Sequence, residues 1–309
     1  MKYLIIGGTG TLGREMVSRL VGEKDSEVTV FSRDELKQKE MKSEFPTVKF
    51  VIGDVRDYQS VEKRSRNIDA IFHFAALKHV DICEENPDEA IRTNLIGTMN
   101  VAEAAIKNGV HFCALSSTDK AVDPINTYGH TKALAEKVFF NRNKSQGWTV
   151  FNVYRWGNVI GSRGSVIQQF ARDLIENKKV FVTHRDMSRF WLKIEDAVSF
   201  MLETYQMQGH HHAFIPPLKG CSLLRMIEAI SELVGVDKYK IHNIGIRPGE
   251  KLHEVLRGQH EDGGGLWSNE CEQYTDDELT ELLEDYLFKS APDLLKNQEL
   301  QVESSEVSH

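Results

Sequence analysis

The sequence predicts an α/β protein: a Rossmann-type, doubly wound parallel sheet followed by a smaller C-terminal α/β part. Three observations predict this fold class. Residues 2–6 are an apolar run without alternation, as expected of a parallel strand that is buried on both faces. Glycines at positions 7, 10 and 13 follow at once and lead into a helical pattern. Strand-like and helix-like segments then alternate as far as residue 153.

The segment after the first strand has the spacing of a dinucleotide-binding loop. Its glycines permit a tight turn, a close approach of the backbone to a pyrophosphate, and close packing of the helix on the strand. Glycines alone would be weak evidence, but the strand and the helix that the motif requires stand on either side of them. We therefore predict a dinucleotide site rather than a merely structural turn, with contacts from Gly7, Thr9, Gly10, Thr11, Leu12 and Gly13.

The second strand, over residues 28–31, leads to the residues that select the cofactor. At this position a carboxylate holds the ribose 2′-hydroxyl of NAD, whereas an arginine accommodates the 2′-phosphate of NADP. The strand is followed by Ser32 and Arg33, with Lys37 nearby, and this favours NADP. Because the carboxylate of Asp34 stands at the same strand end, NAD is the less favoured alternative.

The third and fourth strands are predicted over residues 48–52 and 70–74. The segments after them supply further candidate cofactor contacts: Asp54 and Val55 after the third strand, and Ala75, Ala76 and Lys78 after the fourth. Asp54 could meet the adenine amino group or could simply cap the next helix. The small alanines would let a cofactor cross the edge of the sheet at its topological switch point.

A helix over residues 86–107, a strand over 110–115, a helix that carries Tyr128, and a strand over 148–153 complete the alternation. The pattern changes after residue 157, where helices are predicted over 166–177, 194–206, 223–234 and 276–288. We predict a dinucleotide-binding Rossmann domain over residues 1–157, completed by segments near 190–215. A mainly substrate-binding part over 158–290 and a disordered polar tail over 291–309 follow.

The candidate catalytic groups stand after the fifth strand and on the following helix. Tyr128 and Lys132 are four residues apart, so both side chains lie on one helix face and the ammonium could lower the pKa of the phenol. Thr118, Asp119 and Lys120 add a hydroxyl, a carboxylate and an amine, more proton-handling groups than a hydride transfer needs. The structural alternatives are a capped helix start with a surface pair, and a surface ion pair between Asp119 and Lys120.

Composition excludes several classes of protein. The chain has 309 residues, 40% of them hydrophobic and 27% charged, which is ordinary for a soluble globular protein. A net charge of -8 argues against a general nucleic-acid or membrane-surface role. The four cysteines are scattered, as expected of reduced thiols rather than a disulfide frame or a zinc site. With no spanning apolar run and no signal-like N-terminus, we expect a cytoplasmic protein.

Several longer stretches match one enzyme group over roughly residues 1–257. They are Phe31-Ser32-Arg33-Asp34-Glu35, Ala75-Ala76-Leu77-Lys78-His79-Val80, Glu89-Ala90-Ile91-Arg92-Thr93-Asn94, Ser117-Thr118-Asp119-Lys120-Ala121, Gly157-Asn158-Val159 and Arg247-Pro248-Gly249-Glu250-Lys251-Leu252-His253-Glu254. On these residues the chain resembles the extended short-chain dehydrogenase/reductases. Within them it resembles the soluble, 5-inverting UDP-N-acetylglucosamine 4,6-dehydratases of surface-sugar pathways.

The resemblance implies a role for each candidate catalytic residue. Tyr128, beside Lys132, would remove the proton of the sugar 4-hydroxyl while hydride leaves C4 for the nicotinamide, with Thr118 hydrogen-bonded to O4. Lys120 would then take the C5 proton, and Asp119, protonated, would assist loss of the 6-hydroxyl as water. Hydride return to C6 and reprotonation of C5 from the opposite face would give an inverted 4-keto-6-deoxy sugar.

The resemblance also implies substrate contacts and an assembly. The candidate substrate-binding residues are Arg189 and Arg247 for the diphosphate, Asn158 for the diphosphate or sugar, Glu250 for the uridine ribose, and Thr183 and Lys78 beside them. Either arginine could instead be a solvated surface group. A homo-oligomer is expected by analogy only. The run His210-His211-His212 is interpreted as a solvated loop, and no metal site is predicted.

Three other functions remain open at this point. A UDP-sugar 4-epimerase or reductase would use the same scaffold but would not need the Asp119–Lys120 pair. A dehydratase could also release a 5,6-ene product if hydride return were suppressed. From another class, a non-catalytic NADP-sensing regulator would need the glycine loop but neither the Tyr128–Lys132 pair nor the two arginines.

Overall fold

The computed structural model describes residues 1–145, 147–162, 165–207 and 212–290. The chain divides into two compact units. The first comprises Met1–Trp156, Ile194–Pro217 and Val255–Gly265, and the second comprises Gly157–Lys193, Leu218–Glu254 and the described residues from 266 onward. The predicted tail over 291–309 lies outside the described residues. The assignment of dinucleotide binding to one unit and substrate binding to the other stays a prediction.

The first unit contains a sheet of six parallel strands in the order β3-β2-β1-β4-β5-β6. The strands are β1 (Lys2–Ile6), β2 (Glu27–Ser32), β3 (Lys49–Ile52), β4 (Ala70–His73), β5 (Phe112–Ser116) and β6 (Val150–Tyr154). The chain runs outward from β1 to β3, returns to β4 beside β1, and then continues to β6 in the other direction. This confirms the predicted doubly wound Rossmann-type sheet, with the switch point between β1 and β4.

The helices of the first unit cover the sheet. They are α1 (Thr11–Leu20), α2 (Glu35–Glu44), α3 (Tyr58–Arg64), α4 (Val80–Glu85), α5 (Pro87–Ala90), α6 (Gly97–Lys107), α7 (Thr127–Ser145) and α9 (Ile194–Thr204). Val101, Ala104 and Ala105 of α6 are spaced three and four apart and are buried, so one face of α6 packs against the sheet. Each large apolar side chain buried in this core contributes about 1.5–3 kcal/mol to the free energy of unfolding.

The helix predicted over residues 86–107 is not uniform. A π-helical turn, Ile91–Ile96, stands between α5 and α6. Wide turns of this kind recur at functional sites, and this one carries Asn94, whose side chain hydrogen-bonds to the backbone of Leu77. Helix α2 was not predicted, because its sequence has few apolar residues and hence little helical periodicity.

The second unit is built from shorter elements. Its strands are β7 (Asn158–Val159), β8 (Lys179–Val182), β9 (Ser188–Leu192), β10 (Lys219–Ser222) and β11 (Lys240–Asn243), and its helices are α8 (Val166–Asn177), α10 (Leu223–Leu233) and α11 (Asp276–Ser290). Strands β10, β9 and β7 form one small sheet, and β8 pairs with β11. Two further strands are β12 (Val255–Arg257) in the first unit and β13 (Leu266–Trp267) in the second.

A single core holds the second unit together. Phe170 and Leu174 of α8 pack with Met226 and Ile230 of α10 and with Leu283 of α11. The predicted helices over 166–177 and 223–234 are therefore present, and each buries the apolar face that its periodicity indicated. Across the part of the chain that the structure describes, none of the helices combines the length and the apolar character needed to span a bilayer.

Candidate active site

The loop between β1 and α1 has the geometry expected for close backbone packing. Gly7 has a φ of 78°, and a Cβ atom at this position would lie 2.6 Å from the backbone nitrogen of Ala75. A Cβ at Gly13 would lie 2.7 Å from the carbonyl oxygen of Gly7. The Gly10 amide donates to the Gly7 carbonyl at 2.9 Å and closes the turn. Side chains are therefore excluded where the loop meets the segment after β4, as a pyrophosphate-binding turn requires.

The end of β2 presents a cation rather than a carboxylate. Asp34 caps α2 by accepting the Lys37 amide at 3.0 Å, and its carboxylate also pairs with the Lys37 ammonium. The Ser32 hydroxyl accepts the side-chain amide of Gln38 at 2.9 Å. Arg33 has half of its side chain exposed, and its guanidinium lies 3.8 Å from the Asp54 carboxylate. Arg33 is therefore the most exposed charged group at this strand end, and Asp34 and Lys37 pair with each other.

Asp54 is held by a neighbouring arginine. It accepts the backbone amide of Arg56 at 2.9 Å and the Arg56 guanidinium at 2.6 and 2.9 Å. Partial burial raises the pKa of the Asp54 carboxyl, but the hydrogen bonds and charge of Arg56 and the charge of Arg33 outweigh it, and the pKa falls below its usual range. The cap of α3 is Asp57, so the alternative that Asp54 caps this helix is wrong.

Thr118, Asp119 and Lys120 form one hydrogen-bonded group at the end of β5. Asp119 begins a short 3₁₀ turn, Asp119–Ala121. Its carboxylate accepts the Thr118 hydroxyl at 3.0 Å and the Lys120 ammonium at 3.1 Å. The Asp119 side chain is 1% exposed and that of Lys120 is 21% exposed. The pair is therefore not a solvated surface ion pair.

Tyr128 of α7 belongs to the same group of side chains. Burial raises the pKa of Tyr128 to about 12, while the Lys120 ammonium and a hydrogen bond with Thr118 act in the lowering direction. Asp119 and Cys83 raise the pKa further. From helical spacing alone, Lys132 is the cation expected to lower this pKa. In the structure Lys120 lies close enough to do so, because the turn after β5 brings its amine to the phenol.

Lys132 lies one turn further along α7 and is buried. Its ammonium donates to the carbonyl oxygen of Ser116 at 2.6 Å. Burial lowers the pKa of Lys132 to about 8, and the nearby Glu136 carboxylate acts in the opposite direction. Lys132 therefore ties α7 to the last residue of β5, in addition to any contact with a cofactor.

Two polar residues near this group were not singled out from the sequence. Asn94 accepts the Leu77 amide at 2.8 Å and donates to the Leu77 carbonyl at 2.9 Å and to Thr131 Oγ1 at 3.1 Å. It therefore joins the segment after β4 to the helix of Tyr128. His73 is buried at the end of β4, hydrogen-bonded to Thr98 at 3.1 Å, and burial together with Lys132 lowers the pKa of its imidazole to about 3. The only sign of these two residues in the sequence is that each is polar within an otherwise apolar stretch.

The predicted substrate-binding residues of the second unit fall into two groups. Arg189 is buried, and its guanidinium donates to the carbonyl oxygens of Ser188 at 2.7 Å and Leu252 at 3.1 Å. The Thr183 hydroxyl contacts the Met187 sulfur at 3.3 Å, and the Arg189 guanidinium contacts the same sulfur at 2.9 Å. Arg189 is therefore not a solvated surface arginine.

Arg247 and Glu250 stand on a turn. Arg247 is exposed, its amide donates to the Glu250 carboxylate at 3.3 Å, and the Glu250 amide donates to the Arg247 carbonyl at 3.1 Å. Asn158 lies on β7, opposite Trp191 of β9, and is half-buried. In the first unit, Lys78 is exposed on the segment after β4. His212 is the described member of the histidine run, and among the described residues no group of three His, Cys, Asp or Glu side chains could hold a metal ion.

A family model for polysaccharide biosynthesis proteins matches residues 3–266. The chain belongs to this family. Among its relatives, the UDP-N-acetylglucosamine 4,6-dehydratase (inverting) of Campylobacter jejuni is 42% identical over 259 residues, 82% of this chain and 76% of the relative. The UDP-glucose 4-epimerase of Rickettsia akari is 41% identical over 261 residues, with the same two coverages.

Solved structures show the same fold for this polysaccharide biosynthesis protein. Pen from Bacillus thuringiensis has a TM-score of 0.86 and 35% sequence identity, over 92% of this chain and 97% of that one. MoeE5 in complex with UDP-glucose and NAD has a TM-score of 0.70 and 20% identity, over 81% and 87% of the two chains. The fold is therefore that of extended short-chain dehydrogenase/reductases.

Proposed function

We propose that the protein is a nicotinamide-dependent nucleotide-sugar dehydratase that converts UDP-N-acetylglucosamine to a 4-keto-6-deoxy sugar with inversion at C5. The observation that carries the proposal is the contact between the buried Asp119 and the partly buried Lys120, hydrogen-bonded to Thr118 and close to Tyr128. A hydride transfer at C4 needs only a base for the hydroxyl. An elimination of water also needs a base for C5 and an acid for the 6-hydroxyl. The relative with the inverting dehydratase name agrees with this reading.

The Asp119–Lys120 contact can supply both groups of the elimination. After the 4-hydroxyl has lost its proton, transfer of one proton from Lys120 to Asp119 across their 3.1 Å contact gives an amine and a carboxylic acid. The Lys120 amine then accepts the C5 proton and becomes an ammonium. The Asp119 carboxylic acid donates its proton to the departing 6-hydroxyl, which leaves as water, and becomes a carboxylate. The pair thereby returns to the ammonium–carboxylate form with which the reaction began.

Tyr128 is the proposed base for the 4-hydroxyl, and Thr118 is placed to hydrogen-bond O4. A bound nicotinamide dinucleotide would supply the hydride acceptor for C4 and the hydride donor for C6. Gly7 and Ala75 provide the close backbone approach that such a cofactor needs. Because the pKa of Tyr128 is about 12 in the unliganded protein, its deprotonation depends on Lys120 being an ammonium at that stage.

For the cofactor we propose NADP in preference to NAD. The support is the exposed Arg33 at the end of β2 and the engagement of Asp34 as the cap of α2. For the substrate we propose that Arg189, Arg247, Asn158, Thr183, Glu250 and Lys78 contact the UDP-sugar. Buried Arg189 would supply a fixed guanidinium, and exposed Arg247 would supply a second cation.

The experiment is incubation of the purified protein with UDP-N-acetylglucosamine and NADP, with NMR identification of the product. A 4-keto-6-deoxy product is expected from the wild type and none from Lys120→Ala. The alternative function is a UDP-sugar 4-epimerase, which the relatives with that name favour. An epimerase would instead yield the C4 epimer from the wild type, and that product would overturn the dehydratase proposal.

A further inference from the structure

A second group of charged side chains is buried behind the residues at the end of β5. Glu136 of α7 accepts Arg155 Nε at 3.0 Å and Nη2 at 2.7 Å. Arg155 Nη1 also donates to the Leu256 carbonyl at 3.1 Å and to the Glu261 carboxylate at 2.8 Å. All of these residues belong to the first unit, and Glu136 and Arg155 are almost fully buried.

Stability alone does not account for this charged group. A buried ion pair is often no more stable than apolar side chains of the same volume, because both charges lose their hydration. The charges of Glu136 and Arg155 therefore call for a role that an apolar pair could not fill.

Ser117 connects the Glu136 carboxylate to the candidate catalytic turn. The Ser117 hydroxyl donates to Glu136 Oε1 at 2.5 Å, and the Ser117 amide donates to the Tyr154 carbonyl at 2.6 Å. Ser117 directly precedes Thr118, and the Asp119 amide donates to the Trp156 carbonyl at 2.8 Å. Glu136 thus fixes the side chain of the residue from which the Thr118–Asp119–Lys120 group begins.

Glu136 also faces Lys132, one helical turn before it on α7. Its carboxylate raises the pKa of Lys132 against the larger lowering effect of burial. Among the described residues, His73 of β4 also interacts with Lys132, and its imidazole stays neutral. Arg155 compensates the Glu136 charge from the opposite side and holds the carboxylate in one orientation.

We propose that Glu136 is a positioning residue that serves both halves of the reaction: through Ser117 it holds the Thr118–Asp119–Lys120 turn, and through its charge it keeps Lys132 an ammonium. This inference rests on the dehydratase function proposed above. The two effects can be separated, because one depends on a hydrogen bond and the other on a charge.

Two variants and a matched control separate them. Ser117→Ala removes the hydrogen bond and leaves the charge of Glu136. Glu136→Gln removes the charge and leaves a carbonyl oxygen that can still accept from Ser117. Glu62→Gln is the control, because Glu62 is also a buried glutamate, paired with Arg66 at 3.0 Å on another helix, and contacts none of the candidate catalytic residues.

The expected results differ between the variants. Ser117→Ala should slow C5 exchange with deuterated solvent roughly tenfold or more, as loss of a hydrogen bond to a charged group predicts. In the unliganded protein it should speed exchange of the Ser117 and Asp119 amide protons. Glu136→Gln should move the alkaline limb of the kcat/KM profile to lower pH, because Lys132 then loses its proton more easily. Neither effect is expected in Glu62→Gln.

The inference is overturned if Ser117→Ala and Glu136→Gln behave as Glu62→Gln does in these measurements. A wild-type protein that forms no 4-keto-6-deoxy sugar contradicts the dehydratase proposal instead. In that case the amide exchange of the unliganded variants still decides whether Ser117 and Glu136 hold the turn, since that measurement needs no turnover.

Discussion

Replacement of Asp119 by asparagine tests the proposed acid of the elimination. The Asp119 carboxylate is buried and accepts hydrogen bonds from Thr118 at 3.0 Å and Lys120 at 3.1 Å. Asparagine has nearly the same shape and keeps an oxygen for Thr118, but it cannot donate a proton to the departing hydroxyl. The variant therefore removes proton donation with little change in packing.

Asp119→Asn should affect both the rate of elimination and the stability of the protein, and each effect can be estimated. Loss of a general acid costs about 10²–10⁴ in rate, which is about 3–5 kcal/mol in the barrier to elimination. Removing one partner from a fully buried pair costs about 3–5 kcal/mol of stability. The Lys120 side chain is 21% exposed, so water can solvate part of its charge. We therefore expect Asp119→Asn to lower the free energy of unfolding by only about 1–2 kcal/mol.

The assay follows C4 oxidation and elimination separately. In a single turnover, near-ultraviolet absorbance reports reduced nicotinamide, and NMR reports the 4-keto-6-deoxy product. Asp119→Asn should still form reduced nicotinamide but should accumulate it, because elimination becomes slow. Product formation within about threefold of wild type would refute the role of Asp119 as acid.

Three further predictions concern the cofactor site and Lys132. Gly7→Ala should abolish dinucleotide binding in titration calorimetry and lower the free energy of unfolding by about 1–3 kcal/mol, because its Cβ would meet the Ala75 backbone at a φ of 78°. Gly22→Ala is the control and should do neither, because a Cβ at Gly22 would lie no closer than 3.5 Å to any atom beyond its two chain neighbours. Arg33→Gln should weaken NADP binding roughly tenfold and leave NAD binding nearly unchanged. The control is Lys39→Gln, an exposed lysine whose replacement should change neither affinity. Equal losses of affinity for both cofactors in Arg33→Gln would contradict the NADP proposal. The pKa of Lys132 is about 8 in the folded protein against 10.5 when unperturbed, so the unfolded state binds more protons between these values and the stability contribution of Lys132 should rise by about 3 kcal/mol from pH 8 to 10.5. Urea unfolding of the wild type and Lys132→Met should therefore diverge across that interval, and parallel pH curves would show that Lys132 is not desolvated.

Much of the first unit could be predicted from the sequence because its signals are local. The unbroken apolar run of β1 and the glycines after it determine a strand, a turn and a helix within about 20 residues of each other. The residues after each parallel strand meet at one edge of the sheet. The strand pattern of the sequence is therefore enough to assign Gly7, Arg33, Ala75 and Thr118 to the same edge.

The interactions that tune the site could not be predicted in the same way. Helical spacing predicted Lys132 beside Tyr128, but the 3₁₀ turn brings Lys120 to the phenol. The conformation of such a turn depends on tertiary hydrogen bonds, such as that from the Asp119 amide to the Trp156 carbonyl. The π-helical turn that positions Asn94 has no periodicity signal. Glu136 lies on α7 and Arg155 directly after β6, and each alone has the character of a surface residue, so only the packing of the two elements brings them together.

The most direct test of the proposed function is the hydrogen at C5 of the product formed in deuterated solvent. If Lys120 removes the C5 proton and C5 is reprotonated from the opposite face, NMR will show a 4-keto-6-deoxy sugar that carries solvent deuterium at C5 in the inverted configuration. The same incubation with Lys120→Ala should give neither the product nor the exchange. A product that keeps its original C5 hydrogen, or a simple C4 epimer, would contradict the proposed chemistry.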